Sequence, residues 1–417
     1  SENTSIGYSA LNLNTTGNSN TAVGFGSLDA NTTADGNTAV GYASLGLNTT
    51  GANNVAVGAY ALDANTTADN NVAVGRSALG ANTDGHSNTA VGAYAGDAIT
   101  TGDRNTVFGH DAGSSLVEGS DNTLIGQLAG NATAGSHNTA VGQQALEVNS
   151  TGASNTALGK QALEANTTAS YNVAVGIECL RNNTTGSPHV AVGAFALDAN
   201  TTGTGHVAVG ANALGACTTG DRNTAVGEKA LLSVTTGVNN TAIGSLAGDS
   251  LTTGDNNIYI GRESDSSATG VEHEIVIGNS TAGKGDNTAF LAPSSGSVYN
   301  IANTTTWNQT SDRRIKKNIV DNNQGLEIIK QIRVRNFEYR TLDEIVDFDN
   351  PKAAVVEKEG LQIGTIAQEI EEFLPEIIKT ESTGVKQVDT DSMTWYLVNA
   401  IKELSAEVEE LKSKIEE

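Results

Sequence analysis

Cysteine, proline, aromatic residues and positive charge are all scarce in this sequence. Two cysteines among 417 residues cannot support a disulfide framework, and 4% aromatic residues are too few for a conventional large core. Acidic residues outnumber basic ones by 47 to 23, and a net charge of −24 keeps a chain soluble and repels nucleic acid. The sequence shows neither a signal peptide nor a run of 18 apolar residues, so we expect no membrane insertion.

The dominant feature that is present is a glycine repeat. The glycine that ends each Val-Gly or similar pair recurs every 17 residues, with one 16-residue step from Gly126 to Gly142. A strict period over residues 1–283 indicates one small unit stacked many times. Each unit joins a β-branched segment, an Ala-Leu patch and an Asn-Thr-Thr turn, which predicts a mainly β fold with two short strands per coil. We therefore expect a parallel β-solenoid rod of roughly 75–80 Å. The repeat glycines are Gly7, Gly24, Gly41, Gly58, Gly75, Gly92, Gly109, Gly126, Gly142, Gly159, Gly176, Gly193, Gly210, Gly227, Gly244, Gly261 and Gly278.

Period-two alternation predicts that the two faces of each strand differ in side-chain size. Thr21 and Val23 point to one side of their strand and Ala22 to the other, and similar residues recur in the following repeats. Both sides are apolar, so both are expected to be buried. We expect the large side chains to fill the solenoid interior and the alanine face to let another copy of the chain approach closely.

An asparagine lies four residues before most repeat glycines, as in Asn20, Asn37 and Asn54. Stacked about 4.8 Å apart, such asparagines can form a hydrogen-bonded ladder, so we assign them a structural role. Histidine replaces asparagine at His189 and His206 on adjacent repeats. Rings of histidine in an oligomer could bind a metal, but substitution in a polar ladder is the simpler interpretation, and we predict neither a metal nor a cofactor.

These Asn, Ala, Val and Gly repeats resemble the head repeats of trimeric autotransporter adhesins and the similar repeats of many phage tail fibres. The resemblance covers residues 1–290, and the period here is longer than the usual repeat of the family. It implies a left-handed β-roll assembled from three chains.

The repeat stops after Gly283. Residues 284–310 are predicted to be a linker or fibre tip, because they lose the period and contain Pro-Ser-Ser-Gly-Ser and Asn-Thr-Thr-Thr segments. A small α+β domain is expected at residues 311–417. Its sequence predicts helices over 326–332 and 368–373 and strands over 334–339 and 361–367.

Apolar residues in the last part of the chain are spaced alternately four and three apart, flanked by Glu and Lys, which is a heptad pattern. One amphipathic helix packed on its own domain is the alternative. Because the pattern continues to residue 415, we favour a coiled coil over residues 397–417, and a trimer because the repeats imply one. The heptad residues are Leu397, Ile401, Leu404, Val408, Leu411 and Ile415.

The C-terminal domain opens on the sequence SDRRIKKNI at residues 311–319. This segment closely resembles the start of the self-cleaving intramolecular chaperone domain of endosialidases and phage tail fibres. Further segments match in the same order at residues 364–370, 374–376 and 398–404, so the resemblance covers all of residues 311–417.

In that family a serine and a lysine cut the bond just before the serine. By position the resemblance implies Ser311 and Lys316 as the catalytic pair and Thr310-Ser311 as the cleaved bond. A serine hydroxyl is a weak nucleophile until a base takes its proton, and lysine can do so only when its pKa is lowered, as neighbouring cations favour. A basic turn that anchors the domain on an acidic surface is the alternative. The implied supporting residues are Asp312, Arg313 and Arg314.

Several other features have simpler interpretations. The Asn-Thr-Thr triplets match the glycosylation sequon but are more simply turns. Cys179 and Cys217 occupy different positions of the repeat, so no disulfide is expected. Aromatic residues that follow some of the repeat glycines could contact a receptor such as a glycan, or could cap the edge of the solenoid. They are Phe25, Tyr42, Tyr60, Tyr94 and Phe195.

Together these patterns predict a homotrimeric fibre of a viral particle, such as a phage tail fibre or spike. We expect it to bind a host surface receptor and to join a tail or baseplate adaptor upstream. Its C-terminal domain would trimerise the fibre and then cut itself off, as a single-turnover serine/lysine endopeptidase acting in cis, leaving no activity in the mature fibre. A bacterial surface adhesin with the same modules is the alternative. An ice-binding solenoid is a remote one, because threonine recurs in every repeat but lies in turns.

Overall fold

The computed structural model describes residues 2–292, 298–300, 313, 316–345, 356, 358–380 and 385–416. The chain divides into two compact units, residues 1–310 and residues 311–417. Among the helices of the described residues, none is long and apolar enough to cross a membrane.

The first unit is a parallel β-solenoid whose coils are 17 residues long. Each strand pairs in parallel with the strand of the next coil, so that Thr21 lies beside Thr38. Across the one short coil the offset falls to 16 residues, and Thr123 lies beside Thr139. The predicted fold class is therefore confirmed. The strands stacked in the main sheet are β1 (Thr4–Ile6), β2 (Thr21–Val23), β3 (Thr38–Val40), β4 (Val55–Val57), β5 (Val72–Val74), β6 (Thr89–Val91), β7 (Thr106–Phe108), β8 (Thr123–Ile125), β9 (Thr139–Val141), β10 (Thr156–Leu158), β11 (Val173–Val175), β12 (Val190–Val192), β13 (Val207–Val209), β14 (Thr224–Val226), β15 (Thr241–Ile243), β16 (Ile258–Ile260), β18 (Ile275–Gly278) and β20 (Ala289–Ala292).

The end of the stack is less regular. A second short parallel sheet pairs β17 (Ser264–Asp265) with β19 (Thr281–Ala282). The last parallel strand, β20, pairs on its far side with the antiparallel strand β21 (Val298–Asn300). Strand pairing in the main sheet thus extends past residue 283.

The repeat glycine is required because successive coils approach closely at this point. Gly41 has a φ of +141°, and a Cβ atom built on it would lie 2.5 Å from the carbonyl oxygen of Gly58 in the next coil. A side chain at this position would force the coils apart. This contact explains why the glycine period is the strongest signal in the sequence.

The predicted second strand of each coil is wrong. The Ala-Leu segment is a turn in which Ala43 and Leu45 both have left-handed backbone conformations, with φ values of 52° and 50°. A strand requires strongly negative φ values, so this segment cannot join a ladder. Leu45 is nevertheless fully buried. Its burial contributes about 1.5–3 kcal/mol, which offsets a left-handed cost of about 1–2 kcal/mol.

The structure also reverses the predicted orientation of the strand faces. Ala22 and Ala39 point inward and are fully buried, whereas outward residues such as Val57 and Ile125 are more than one third exposed. The interior is already occupied by the buried leucines and asparagines of the turns, which leave room only for a methyl group from the strand. The large β-branched side chains therefore form the outer surface of the sheet.

In two coils where the inward strand residue is larger than alanine, a glycine opens space opposite it. Leu124 and Tyr259 are inward and fully buried. A Cβ atom on Gly130 would lie 2.5 Å from Leu124 Cδ2, and one on Gly248 would lie 2.7 Å from Tyr259 Cδ2. In these coils the interior volume stays nearly constant, because the strand carries a larger side chain where the turn carries a smaller one.

This exchange of volume can be tested with two left-handed glycines. Gly130 and Gly26 have φ values of +57° and +65°, but no atom lies within 4 Å of the Cβ that Gly26 would gain. Gly26→Ala should cost about 1–2 kcal/mol of backbone strain, and Gly130→Ala about 1–3 kcal/mol more from overpacking. Denaturant midpoints measure both costs. Equal midpoints for the two variants would contradict the volume argument.

The second unit is a small α+β domain. Its helices are α1 (Leu326–Ile329), α2 (Ala367–Glu371) and the long α3 (Thr390–Glu416), with single 3-10 turns at Leu342–Glu344 and Pro375–Ile377. Its strands are β22 (Arg335–Phe337), β23 (Gln362–Gly364), β24 (Ile378–Thr380) and β25 (Lys386–Val388), and they form two antiparallel pairs, β22 with β23 and β24 with β25. The elements predicted near residues 326, 334, 361 and 368 are confirmed, though each is shorter than expected.

Candidate functional site

The predicted cleavage site lies at the start of the second unit. Arg313 and Lys316 are among the described residues, and both are exposed. The backbone N–H of Lys316 donates to the carbonyl oxygen of Arg313 at 3.2 Å, so these two residues are in direct contact. The remaining predicted site residues, which lie outside the described residues, are Thr310, Ser311, Asp312 and Arg314.

A few residues further on, the chain is held against α3. The side-chain amide of Asn399 donates to the carbonyl oxygens of Asn322 and Gln324, at 2.7 Å and 3.2 Å. Gly325 is buried beside it, and a Cβ atom there would lie 2.5 Å from the carbonyl carbon of Asn399. The segment that leads from the predicted cleavage site into the domain is therefore fixed to the C-terminal helix.

A carboxylate from α3 completes this attachment. Helix α1 begins after Gly325 and has no side-chain cap of its own. Glu403 Oε2 instead accepts the backbone N–H of Leu326 at 2.7 Å, which satisfies one of the amide groups that a helix leaves unpaired at its start. Asn399 and Glu403 lie four residues apart, on one face of α3.

The apolar heptad residues occupy a different face of α3. Tyr396 and Ala400 are buried in the domain, and Asn399 and Glu403 make their hydrogen bonds to residues 322–326 from the same side of the helix. At about 100° per residue, this inward face and the heptad face are about 110° apart. All six heptad residues are exposed, from Val408 at 42% to Ile415 at 83%. The alternative in which the heptad residues pack on their own domain is therefore not what the structure shows.

The two middle segments of the resemblance form the domain core. Ile370 and Leu374 are almost completely buried and pack with Ile377 and Tyr396. The hydroxyl of Tyr396 donates to Glu376 Oε1 at 3.0 Å, which ties the 374–376 segment to α3.

An ion pair joins α2 to the neighbouring strand. The Arg335 guanidinium makes two hydrogen bonds to Glu369, at 2.6 Å and 3.2 Å, and these bonds hold the pKa of the Glu369 carboxyl below its usual range. The residues of the two middle segments thus build the core against which α3 packs.

A comparison with known families agrees with this description. Residues 311–379 match the sequence model of the family described as chaperone of endosialidase. The searches of curated proteins and of solved structures returned no match. The chain is therefore a β-solenoid of 17-residue coils followed by a region similar to an autoproteolytic chaperone domain.

The aromatic residues near the start of the solenoid form a column. The ring centroids of Tyr8 and Phe25 are 5.3 Å apart, and those of Phe25 and Tyr42 are 5.2 Å apart, with nearly parallel planes. Tyr60 continues the column edge-on at 5.3 Å from Tyr42. Phe25 and Tyr42 thus stack on each other, and each remains about half exposed. Tyr94 contacts His110 and Arg76 instead.

The predicted asparagine ladder exists, but it bonds differently from a simple amide stack. Asn20 Oδ1 accepts the backbone N–H of Asn37 at 2.9 Å, and the Asn37 amide donates to the carbonyl oxygen of Gly51 at 2.8 Å. A second ladder, which sequence reasoning missed, is formed by the asparagines of the Asn-Thr-Thr turns. Asn48 is buried, and its amide donates to the carbonyl oxygen of Gly51 and to Asn31 Oδ1. Its 17-residue spacing was the available signal.

The buried asparagines and histidines have structural surroundings. An asparagine buried in the second ladder, such as Asn65, has its amide nitrogen engaged in two hydrogen bonds and is closed to glycosylation in the folded solenoid. His189 and His206 stack in the first ladder with ring centroids 5.2 Å apart. In the described part of the chain, no three His, Cys, Asp or Glu residues are placed to hold a metal. Cys179 and Cys217 are both buried free thiols.

Proposed function

We propose that this chain is one subunit of a homotrimeric fibre of a viral particle, and that its C-terminal domain assembles the trimer and then cuts the bond between Thr310 and Ser311. The observation that carries the proposal is the second unit. It joins a segment similar to the chaperone of endosialidase to a helix that leaves six apolar heptad residues exposed.

The solenoid presents a surface suited to association with copies of itself. Two columns of outward residues run along its main sheet, one of Thr, Val, Ile and Ala and one of Val, Ile, Leu and Phe. Neither column contains a charged residue, although the chain has a net charge of −24. We name these two columns the outward strand face. A face without charge is the one along which like-charged rods can approach most closely.

The size of the outward strand face fits a stable contact. Eighteen stacked strands at about 4.8 Å, each about 10 Å wide, present roughly 800 Å². Each partner in a typical specific interface buries roughly the same area. Copies of this chain are the partner that matches this face in length and spacing.

The domain also suggests how assembly would control cleavage. The heptad face and the inward face belong to the same helix, and the inward face holds residues 322–326. Trimerisation through α3 would therefore orient the segment that follows Ser311 and Lys316. Cleavage after assembly then removes the domain once the solenoids are in register.

The heptad face provides the test of assembly. Ile401→Ser, Leu404→Ser and Val408→Ser together should leave the chain monomeric, because each buried apolar side chain of this kind contributes about 1.5–3 kcal/mol. Lys402→Ser, Ala406→Ser and Glu409→Ser are the matched control, since they cause a similar loss of helix propensity on the opposite side of α3. Sedimentation analysis distinguishes monomer from trimer. Trimers of the first variant at normal yield would reject the assembly role.

Attachment to a host receptor such as a glycan is a further part of the proposal. The aromatic column offers ring edges and tyrosine hydroxyls at intervals of 5.2–5.3 Å, at exposures from 41% for Tyr60 to 75% for Tyr8. A bacterial surface adhesin with the same two modules is the alternative. Ice binding gains no support, because the hydroxyl of Thr49 donates to the carbonyl oxygen of Thr66 in the next turn, and the first threonine of most Asn-Thr-Thr turns bonds in the same way.

A further inference from the structure

One strand differs from all others on the outward strand face. The column that contains Val91 has one residue from each of the eighteen parallel strands, and seventeen of these are Val, Ile or Leu. The exception is Phe108 in β7. Its side chain is 55% exposed, compared with 46% for Leu158, the next most exposed residue of the column beyond the first strand. Phe108 therefore projects from an otherwise uniform surface.

The two coils at this ring carry larger inward side chains than the alanine found in most coils. Val107 and Leu124 replace alanine at the inward positions of β7 and β8, and both are buried. Leu124 packs so closely that a Cβ atom on Gly113 would lie 3.0 Å from its Cδ1. On the surface, Arg104 and Asp121 join the same two coils through hydrogen bonds of 2.7 Å and 3.0 Å. Phe108 thus projects from two coils that are joined both by buried side chains and by a surface ion pair.

We propose that Phe108 fixes the axial register between copies of the chain. The proposal rests on the lateral association through the outward strand face proposed above. A uniform column would let one copy slip along another by one coil, about 4.8 Å, and bury almost the same area. Copies in register place their Phe108 rings at the same height, where the rings can contact one another. A slipped copy places Phe108 against Val91 or Ile125 and forces the ring into a space sized for an aliphatic side chain.

The register can be measured with engineered disulfides. Full-length chains carrying Val141→Cys are expressed by themselves, where a disulfide between copies joins the same coil. They are also co-expressed with chains carrying Leu158→Cys, where a mixed disulfide joins adjacent coils. The linked peptides are quantified by mass spectrometry. A disulfide requires Cβ atoms about 3.5–4.5 Å apart, which is less than the displacement of one coil. The native cysteines do not interfere, since Cys179 and Cys217 are fully buried.

Same-coil disulfides should dominate when Phe108 is present. Phe108→Val should lower the ratio of same-coil to adjacent-coil disulfides about two- to tenfold, as the loss of a ring contact implies. Moving the ring by one coil in every chain, with Val91→Phe and Phe108→Val together, should restore the ratio. Tyr171→Asn, which removes an exposed ring outside the outward strand face, is the control and should leave the ratio unchanged. Tyr171 has a left-handed backbone conformation, and Asn53 and Asn70 already occupy the same repeat position with positive φ values.

The outcomes separate the register role from the association itself. An unchanged ratio in Phe108→Val would overturn the register role while leaving lateral association intact. The absence of disulfides between copies in every variant would instead reject lateral association, and the register role with it.

Discussion

A Ser311→Ala chain should assemble normally and remain one species of 42.7 kDa, whereas the wild-type chain should yield two fragments, residues 1–310 and residues 311–417. In the proposed reaction the Ser311 hydroxyl oxygen attacks the carbonyl carbon of Thr310 as Lys316 takes the hydroxyl proton. The peptide bond to the Ser311 nitrogen breaks, that nitrogen gains a proton, and an ester links Thr310 to the Ser311 side chain. Water then hydrolyses the ester. Without the hydroxyl oxygen the first step has no nucleophile.

Lys316→Arg is the sharper test of the base. Arginine keeps the positive charge but cannot be deprotonated in a protein, so it cannot accept the proton. We expect at least a hundredfold slower cleavage in this variant, consistent with the usual contribution of a general base. Lys330→Arg is the matched control, because Lys330 is an exposed lysine directly after α1 and pairs with Glu327. It should cut at the wild-type rate.

Intact-mass spectrometry and sedimentation together separate the possibilities. A Ser311→Ala chain cut at Thr310 would exclude Ser311 as the nucleophile. A wild-type trimer that stays at full length would reject self-cleavage altogether, while the assembly role of α3 would still be judged by its own serine variants.

The coil period could be predicted from the sequence because it depends on one steric fact. Neighbouring coils meet at the repeat glycine, where Gly41 approaches the carbonyl oxygen of Gly58 too closely for any side chain. The choice of inward face could not be predicted in the same way. Alternation shows that Ala22 and Val23 point in opposite directions, but which one is buried depends on how much of the interior the turns already fill. That volume becomes visible only when Leu28 and Asn31 are in place.

Backbone conformation was the second obstacle to prediction. Leu45 and its counterparts adopt left-handed φ values that leucine rarely takes, so residue type alone suggested a strand. In the C-terminal unit, prediction could have gone further than it did. The 3.6-residue period of α3 separates Tyr396, Asn399 and Glu403 from the heptad residues, so two faces could be distinguished from the sequence. That the first of these faces packs on residues 322–326 and the domain core, while the heptad face stays exposed, became visible only in the fold.

Two coils near the middle of the solenoid depend on histidines that stay neutral. His189 Nδ1 accepts the backbone N–H of His206, and His206 Nδ1 accepts that of Asn223, both at 3.2 Å. Burial lowers the pKa of His189 to about 3 and also lowers the pKa of His206. The titratable groups that face the rings are Cys217, whose thiol burial keeps protonated by raising its pKa to about 11, and Asp221, whose negative charge opposes part of the lowering.

Acid should therefore open the coils around His189 and His206 before the rest of the solenoid. An unfolded histidine binds its proton near pH 6.5, whereas the folded ones bind it only at lower pH. Their stabilisation is complete above pH 6.5 and is lost as the pH falls towards the folded pKa values. Linkage gives about 1.4 kcal/mol per pH unit for each histidine, so His189 alone lowers the free energy of unfolding by about 2.7 kcal/mol at pH 4.5.

Hydrogen exchange should accelerate over residues 173–226 relative to residues 38–91 between pH 7 and pH 4.5, once corrected for intrinsic rates. His189→Asn with His206→Asn should abolish the difference, because asparagine already fills this position in most coils. Equal acid sensitivity in the double variant would show that other groups open these coils.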